Sequence, residues 1–317
     1  MYEMGDTDEG DSAIDHPAIG PNEVLVQVHA AGVDPGVWHL MTGLPYLVRV
    51  MGYGLTRPKY PVRGRDVAGR VEAVGSDVTR FQPGDEVYGT CEASFAEYAA
   101  AREDKLALKP ANLSFEQAAV IPISGMTALQ AVRDKGQVKP GDKALVIGAG
   151  GGVGTFAVQI AKFFGAEVTG VCSTSKLDLV RSIGADHVID YTREDLSETA
   201  GQFDLIIDNA GNRPLSLLRR ALTPKGALVI VGGEGGGSWV GPAGRLLPVL
   251  LLSPFVGQRL VSFLSVERQD DLQTLSEMAE AGEFTPVVDR AYPLIEAPDA
   301  VRYVGEGHAR GKVVVTI

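Results

Sequence analysis

One segment of the chain has residue types and spacing that could hold a phosphate-containing ligand. The apolar run 144–147 leads into residues 148–154, five of which are glycine, and a helix-forming segment follows. Residues without a Cβ atom let the backbone approach a pyrophosphate, and the free N–H groups that begin the next helix bind anions. This strand, turn and helix context is the one in which a glycine pattern indicates dinucleotide binding. We therefore predict a cofactor-binding loop at Ala149, Gly151, Gly152, Val153 and Gly154.

The residues after the next predicted strand, 167–172, indicate which dinucleotide is bound. NAD enzymes commonly place a carboxylate there for the ribose 2′-hydroxyl. Residues 173–176 are instead Ser, Thr, Ser and Lys. A 2′-phosphate requires hydrogen-bond donors and positive charge, so NADPH (NADP+) is the predicted cofactor. The alternative is that Ser173 or Ser175 caps a helix and that Lys176 is solvated.

Two patterns of elements must position these residues. From Pro21 to about residue 100, short apolar runs separated by Gly and Pro turns predict a compact, mostly antiparallel β domain. Farther on, helical stretches alternate with apolar strands, which predicts a parallel sheet with helices on both faces; the strands are 144–148, 167–172, 187–191, 204–209, 227–232 and 260–265. Asn209 and Gly232 end two of these strands and join the predicted cofactor-binding set. The last strand, 311–317, is expected to rejoin the first domain.

Composition excludes several classes of protein. A length of 317 residues suggests about two domains. The formal net charge of −11 disfavours a nucleic-acid partner, because phosphate contacts need a basic surface. Two cysteines, Cys91 and Cys172, cannot form a disulfide framework or a four-cysteine zinc lobe, and we interpret both as buried thiols. With no apolar run of about 18 residues and no signal peptide, the expected location is cytoplasmic, without an integral membrane segment.

Two segments depart from these patterns. Residues 1–16 contain six acidic residues and no Lys or Arg, which predicts a flexible acidic tail. Residues 235–257 are glycine-rich and then strongly apolar through 246–252. We interpret this segment as a substrate lid or a subunit interface, and membrane docking is the alternative.

Several motifs together resemble the zinc-free quinone oxidoreductase type of the medium-chain dehydrogenase/reductase superfamily. The resemblance covers nearly all of 21–317. The segments that carry it are 30–34, 64–71, 81–87, 148–154 with 159–162, 184–191 and 307–312.

The resemblance implies an α/β fold with two domains, a GroES-like β-rich catalytic domain and a Rossmann cofactor domain with a doubly wound parallel sheet. The implied boundaries are a tail at 1–20, a catalytic domain at 21–116 and 257–317, and an NADP-binding domain at 117–256. A homodimer is also implied.

The resemblance assigns roles to individual residues as well. It implies that Ser173, Lys176 and Tyr191 bind the 2′-phosphate. It places Thr127 near the nicotinamide and Lys312 near the cleft that holds the cofactor.

Two positions differ from the zinc alcohol dehydrogenases. Asp34 stands where those enzymes carry a cysteine ligand, and Gly64-Arg65-Asp66 replaces their G-H-E motif. An arginine supplies a fixed positive charge and no lone pair, so we predict no catalytic metal. Arg65 and Asp66 are expected to form a structural ion pair.

The catalytic candidates are Asp34, His39 and Tyr46, with Tyr53 as a further one. By resemblance, Asp34 replaces an asparagine near the nicotinamide, and His39 replaces a tyrosine. A histidine can donate a proton near neutral pH. The alternatives are that Asp34 caps the turn before Pro35 and that His39 is packed or solvated.

These observations predict hydride transfer from NADPH to a small molecule, a quinone or an α,β-unsaturated carbonyl. Such an acceptor spreads negative charge through its conjugated system, so the protein need only orient it and offer donors to its oxygen. Two alternatives stay open. They are a zinc-free alcohol or aldehyde oxidoreductase and a cofactor-binding protein with little turnover.

Overall fold

The computed structural model describes residues 16–42, 46, 62–196, 199, 201–232, 249 and 251–317. The predicted acidic tail up to residue 15, Tyr53 and most of the apolar segment 246–252 lie outside these residues. Two compact units are present, and they divide at 126/127 and 266/267, with 283–285 joining the second. The sequence placed these divisions at 116/117 and 256/257. The second division lies farther along the chain because the strand at 259–262 pairs within the second unit's sheet.

The described strands and helices follow one another along the whole chain. The strands are β1 (Glu23–Val33), β2 (Asp66–Val74), β3 (Glu86–Thr90), β4 (Tyr98–Arg102), β5 (Leu106–Leu108), β6 (Lys143–Ile147), β7 (Glu167–Cys172), β8 (His187–Asp190), β9 (Phe203–Asp208), β10 (Leu222–Ile230), β11 (Arg259–Ser262), β12 (Val288–Pro293) and β13 (Lys312–Thr316). The α-helices are α1 (Pro35–Thr42), α2 (Phe115–Ala119), α3 (Pro122–Leu129), α4 (Gly152–Phe163), α5 (Leu177–Ser182), α6 (Leu215–Ala221), α7 (Gln269–Glu280) and α8 (Ala297–Gly305).

The first unit is built on a sheet with the strand order β12-β13-β1-β2-β3-β5, and β4 also pairs with β1. Its pairings are antiparallel except for the parallel pair β12–β13. Alternate residues of β1, among them Val24, Val26 and Val28, point into one apolar core. The predicted antiparallel β domain is confirmed, and the last strand of the chain rejoins it through β1.

The second unit is a parallel sheet in the order β11-β10-β9-β6-β7-β8. After β8 the chain returns to the far side of β6, so the connections change direction between β6 and β9. Open α/β sheets bind ligands at the carboxyl ends of the strands beside such a switch point. The six strands lie where the sequence predicts them, to within a few residues at their ends. The α/β fold with a GroES-like domain and a Rossmann domain is confirmed.

Local signals explain how the chain enters α2 and α3, the helices that follow β5 in the sequence. The Ser114 hydroxyl accepts a hydrogen bond from the Gln117 backbone N–H at 3.2 Å, and the Gln117 side chain accepts one from the Ser114 N–H at 3.1 Å. This capping box satisfies two N–H groups that α2 cannot satisfy internally. Pro122 then begins α3, a position where its missing N–H costs nothing.

Candidate cofactor site

The glycine-rich loop joins β6 to α4 in a tight turn. Gly148 has φ +77°, a backbone conformation that favours glycine, and its carbonyl accepts the Gly151 N–H at 3.0 Å. A Cβ atom on Gly154 would lie 2.0 Å from the Gly148 oxygen, so only glycine lets α4 begin this close to the turn. A Cβ on Gly151 would have one neighbour, the same oxygen at 3.4 Å. The backbone at Gly151 is therefore open to a ligand on its outer side, as a pyrophosphate requires.

Asn209 lies beside this loop at the carboxyl end of β9. Its Nδ2 donates to the Ile147 carbonyl at 3.0 Å, and its Oδ1 is buried with no hydrogen-bond partner among the described residues. A buried acceptor without a partner costs free energy that a ligand donor would recover. Gly232 is close by, since a Cβ there would lie 2.7 Å from the backbone carbonyl oxygen of Asn209. The loop, Asn209 and Gly232 therefore form one site, and a dinucleotide fits its open backbone and unused acceptor.

A hydrogen-bond network joins the ends of β7 and β8. The buried Asp190 carboxylate accepts hydrogen bonds from the hydroxyls of Thr174 and Thr192. These bonds, with Thr174 the largest cause, hold the pKa of Asp190 below its usual value. The Tyr191 N–H also donates to the Cys172 carbonyl at 3.2 Å. The network therefore holds the segment after β7 against Tyr191.

Lys176 connects this network to the glycine-rich loop. A Cβ on Gly150 would lie 2.9 Å from the Lys176 Cβ and 2.8 Å from its Cδ, so the aliphatic stem of the lysine packs on the loop. Ser173 and Ser175 form a hydroxyl pair at 3.3 Å. Tyr191, with half of its surface exposed, completes this edge. The structure thus brings Ser173, Lys176 and Tyr191 to neighbouring strand ends; their contact with a 2′-phosphate stays a prediction.

Thr127 lies in the second unit, near the end of α3. Its hydroxyl donates to the Ser265 hydroxyl at 2.8 Å, and its side chain is buried. Cys172 and Cys91 are both free and buried, as predicted. Burial raises the pKa of the Cys172 thiol to about 11, which makes it a poor nucleophile at neutral pH.

In the first unit, Asp34, Asp66 and Lys312 form a buried ion cluster. The Lys312 ammonium donates to Asp34 and also lies 3.4 Å from the Asp66 carboxylate. The Ser124 hydroxyl donates to Asp34 at 3.3 Å, and the Ile123 N–H donates to Asp66 at 3.0 Å. The two carboxylates thus hold both the lysine and the first turn of α3.

Charge is distributed unequally in this cluster. Burial and the neighbouring Asp34 charge hold the pKa of Asp66 well above its usual value. Burial acts against ionisation of Asp34 too, but the Lys312 charge and several hydrogen bonds lower its pKa. An ionised carboxylate accepts hydrogen bonds and donates none. The catalytic role of Asp34 stays a prediction. Lys312 is 2% exposed and its charge is compensated by Asp34, so its predicted cofactor contact gains no support from its environment.

The expected ion pair between Arg65 and Asp66 is wrong. Arg65 pairs with Glu267, while Asp66 binds Lys312. The physical reason is that successive residues entering a strand point to opposite sides, so adjacent side chains have different partners.

The other catalytic candidates lie on α1 and in the segment that follows it. His39 is half-buried in the last turn of α1. Tyr46 is 38% exposed. Their catalytic roles stay predictions.

One residue of this region is missed by the sequence analysis. The Arg213 guanidinium lies over the Tyr191 ring, with its Cζ 5.7 Å from the ring centroid. It follows β9 by five residues, and the rule that strand ends carry ligand residues could have pointed to it.

Comparison with known proteins decides the family. Residues 20–111 match the alcohol dehydrogenase GroES-like domain, and residues 183–315 match the zinc-binding dehydrogenase family. A mitochondrial NAD(P)H oxidoreductase of Mus musculus is 33% identical over 94% of this chain and 82% of its own length. The chain belongs to the medium-chain dehydrogenase/reductase family. It is an oxidoreductase. Its fold and its likeness to the zinc-free quinone oxidoreductases are those that its motifs predicted.

Other proteins of the family are also similar over most of the chain. A chloroplastic NADPH-dependent alkenal/one oxidoreductase of Arabidopsis thaliana is 35% identical, covering 94% of this chain and 73% of that one. The solved quinone oxidoreductase of Coxiella burnetii superposes with a TM-score of 0.83 at 29% identity, covering 96% of this chain and 93% of that one.

Metal and membrane features were also sought in the described part of the chain. No group of three or more His, Cys, Asp or Glu side chains there could hold a metal ion. No helix within these residues has the length and apolarity needed to cross a membrane.

Proposed function

We propose that this chain transfers a hydride from NADPH to a quinone or an α,β-unsaturated carbonyl, without a catalytic zinc. The observation that carries the proposal is the edge formed by Ser173, Lys176 and Tyr191. It offers hydroxyls and a positive charge, and the nearby Asp190 carboxylate is occupied by two threonines. The names of the mouse, Arabidopsis and Coxiella relatives support the same cofactor and acceptor classes.

The chain's own residues bind and orient the cofactor, which supplies the hydride when it is bound. The N–H groups around Gly151 and the start of α4 bind the pyrophosphate, since these groups have no partner inside the helix. Lys176 and Ser173 donate to the 2′-phosphate. The Asn209 Oδ1, buried without a partner among the described residues, accepts from a cofactor donor.

The absence of a metal requirement is supported by the buried cluster. Lys312 already places a positive charge between two carboxylates, so a divalent cation there would have to displace a bonded ammonium. A conjugated acceptor needs less polarisation than a simple carbonyl, because its π-system spreads the developing charge. We assign proton delivery to solvent or to His39.

The acceptor class is tested by following NADPH oxidation with two aldehydes of equal length, trans-2-nonenal and nonanal, and with 1,4-naphthoquinone. We expect turnover of the enal and the quinone at least tenfold above that of nonanal, unchanged by a metal chelator. Faster turnover of nonanal or of an alcohol, lost in chelator, would support zinc-dependent alcohol chemistry instead. Tight cofactor binding without turnover of any acceptor would support a binding protein.

The cofactor is tested by titrating tryptophan-excited fluorescence with NADPH and with NADH. We expect tighter binding of NADPH, and we expect Lys176→Ala to lower its affinity about tenfold or more, because a charge-assisted contact to phosphate is lost. NADH affinity should change little. Equal binding of both dinucleotides by the unmodified chain would contradict the assignment.

We also propose that the chain is a cytoplasmic homodimer. Phe255, Leu264 and Val266 flank the edge strand β11 and are 85%, 78% and 54% exposed. Exposed apolar side chains beside a sheet edge favour coverage by another chain. Light scattering should give twice the chain mass of 33.5 kDa, and a single-chain mass would contradict the dimer. Fractionation of the native cell tests the location.

A further inference from the structure

An arginine and a tyrosine meet across the ligand edge of the parallel sheet. Tyr191 directly follows β8, and Arg213 comes from the segment between β9 and α6. In the sheet, β6 and β7 separate β9 from β8, a distance of three strand spacings of about 4.8 Å. The pair therefore spans the carboxyl ends of the two strands that carry the glycine-rich loop and Lys176.

Two features of the position of Arg213 are unfavourable for a positive charge. It lies two residues before α6, whose N-terminal end carries a partial positive charge. Its side chain is half-buried, and burial is the main cause that lowers the pKa of the guanidinium. Asp208, Tyr191 and Asp195 act in the opposite direction on this pKa and favour the charged form. The guanidinium therefore stays charged at the ligand edge of the sheet, where it contacts the Tyr191 ring.

Lys176 by itself cannot satisfy a phosphate dianion. Its stem is held on Gly150, and an ammonium acts as a point charge without fixed direction. A guanidinium donates two parallel hydrogen bonds to phosphate oxygens, and the Tyr191 ring beneath Arg213 restricts its orientation.

We propose that Arg213 is a specificity-determining residue, whose guanidinium, held on the Tyr191 ring, binds the 2′-phosphate of NADPH together with Lys176. The inference rests on the proposed function, because it assumes that NADPH is the cofactor. It adds a residue from the end of β9 to a site otherwise formed by the ends of β7 and β8.

The test is isothermal titration calorimetry of the full chain with four ligands, NADPH, NADH, adenosine 2′,5′-bisphosphate and 5′-AMP. We expect Arg213→Gln to weaken binding of NADPH and of the bisphosphate by about 10- to 100-fold, since one charge-assisted contact is lost. Binding of NADH and 5′-AMP should change less than threefold. The matched control is Arg220→Gln, an exposed arginine in α6, which should leave all four affinities within threefold.

Three results would overturn the inference: no change with Arg213→Gln, an equal loss for NADPH and NADH, or the same loss with Arg220→Gln. Failure of the proposed cofactor is distinguishable, because it appears as a missing NADPH preference in the unmodified chain. If Arg213→Gln does not fold, Arg213→Lys supplies the test, since it keeps the charge and loses the paired donors. It should weaken the bisphosphate severalfold and leave 5′-AMP unchanged, and an unchanged bisphosphate affinity would overturn the inference.

Discussion

At the scale of single residues, the buried cluster of Asp34, Asp66 and Lys312 has the largest electrostatic consequences. Three ionisable side chains share a site from which water is excluded. Two carboxylates beside one ammonium are compensated only if one of them keeps its proton, and the raised pKa identifies that one as Asp66. The cluster is then neutral as a whole, which limits the cost of burying it.

This charge distribution predicts unequal losses of stability for two substitutions. Asp66→Asn keeps the shape of a neutral carboxyl, so we expect it to lower the free energy of unfolding by less than about 1 kcal/mol. Lys312→Met leaves the buried Asp34 charge uncompensated and should cost about 3–5 kcal/mol. Urea unfolding at neutral pH measures both, and an equal cost for the two variants would contradict the assignment.

The pH dependence of these variants has a defined sign. Asp66 binds a proton more tightly in the folded chain, so its contribution to stability is lost as the pH rises above its ordinary pKa of 3.8 toward its raised folded value. The free energy of unfolding of Asp66→Asn, measured relative to that of the unmodified chain, should therefore rise as the pH increases from 5 to 8. The deficit of Lys312→Met should grow over the same range, because Asp34 then also favours its protonated form in the folded chain.

At the scale of elements, the turn between β6 and α4 separates glycines that serve folding from one that serves binding. The Gly154 position meets backbone within 2.0 Å, whereas the Gly151 position is open. Both belong to the same sequence pattern, and their different surroundings come from the way α4 folds back on the turn.

Alanine substitution at these two glycines should separate stability from affinity. Gly154→Ala forces α4 away from the Gly148 carbonyl, so we expect a lower melting temperature and lost binding together. Gly151→Ala should fold with a stability within about 1 kcal/mol of the unmodified chain, because its Cβ meets only ordinary contact. Its NADPH affinity should fall at least tenfold in the titration, and retained affinity would show that the pyrophosphate does not approach Gly151.

At the scale of the whole molecule, two units with separate sheets and cores carry different parts of the chemistry. The described cofactor-binding candidates, apart from Lys312, all lie in the second unit. Ligand binding to a folded unit stabilises it by mass action. The cofactor should therefore mainly stabilise the second unit.

Thermal unfolding tests this division. At 100 times its dissociation constant, NADPH should add about 2.7 kcal/mol to the stability of the second unit, or about 5 °C or more in its melting temperature. NADH at the same concentration should add less, and Lys176→Ala should remove most of the difference between the two. Identical shifts with both dinucleotides would contradict the 2′-phosphate site.

Several features of the fold and site are determined by the sequence alone. The alternation of apolar strands and helices predicts a parallel sheet, because strands buried on both faces form near-continuous apolar runs. The glycine pattern predicts the loop after β6. Glycine is needed there for local steric reasons, and the spacing of the glycines makes the loop recognisable in the sequence. Ser114 and Gln117 likewise mark the start of α2 through a bond that spans three residues.

Only the tertiary structure decided which distant side chains meet. Lys312 pairs with Asp34 across 278 positions of the chain, and Arg65 pairs with Glu267 across 202. Arg213 reaches Tyr191 because the carboxyl ends of β9, β6, β7 and β8 lie along one edge of the parallel sheet. Spacing along the chain carries no information about such pairs. Strand order and side-chain direction select the partners, and burial then sets the strength of each charge.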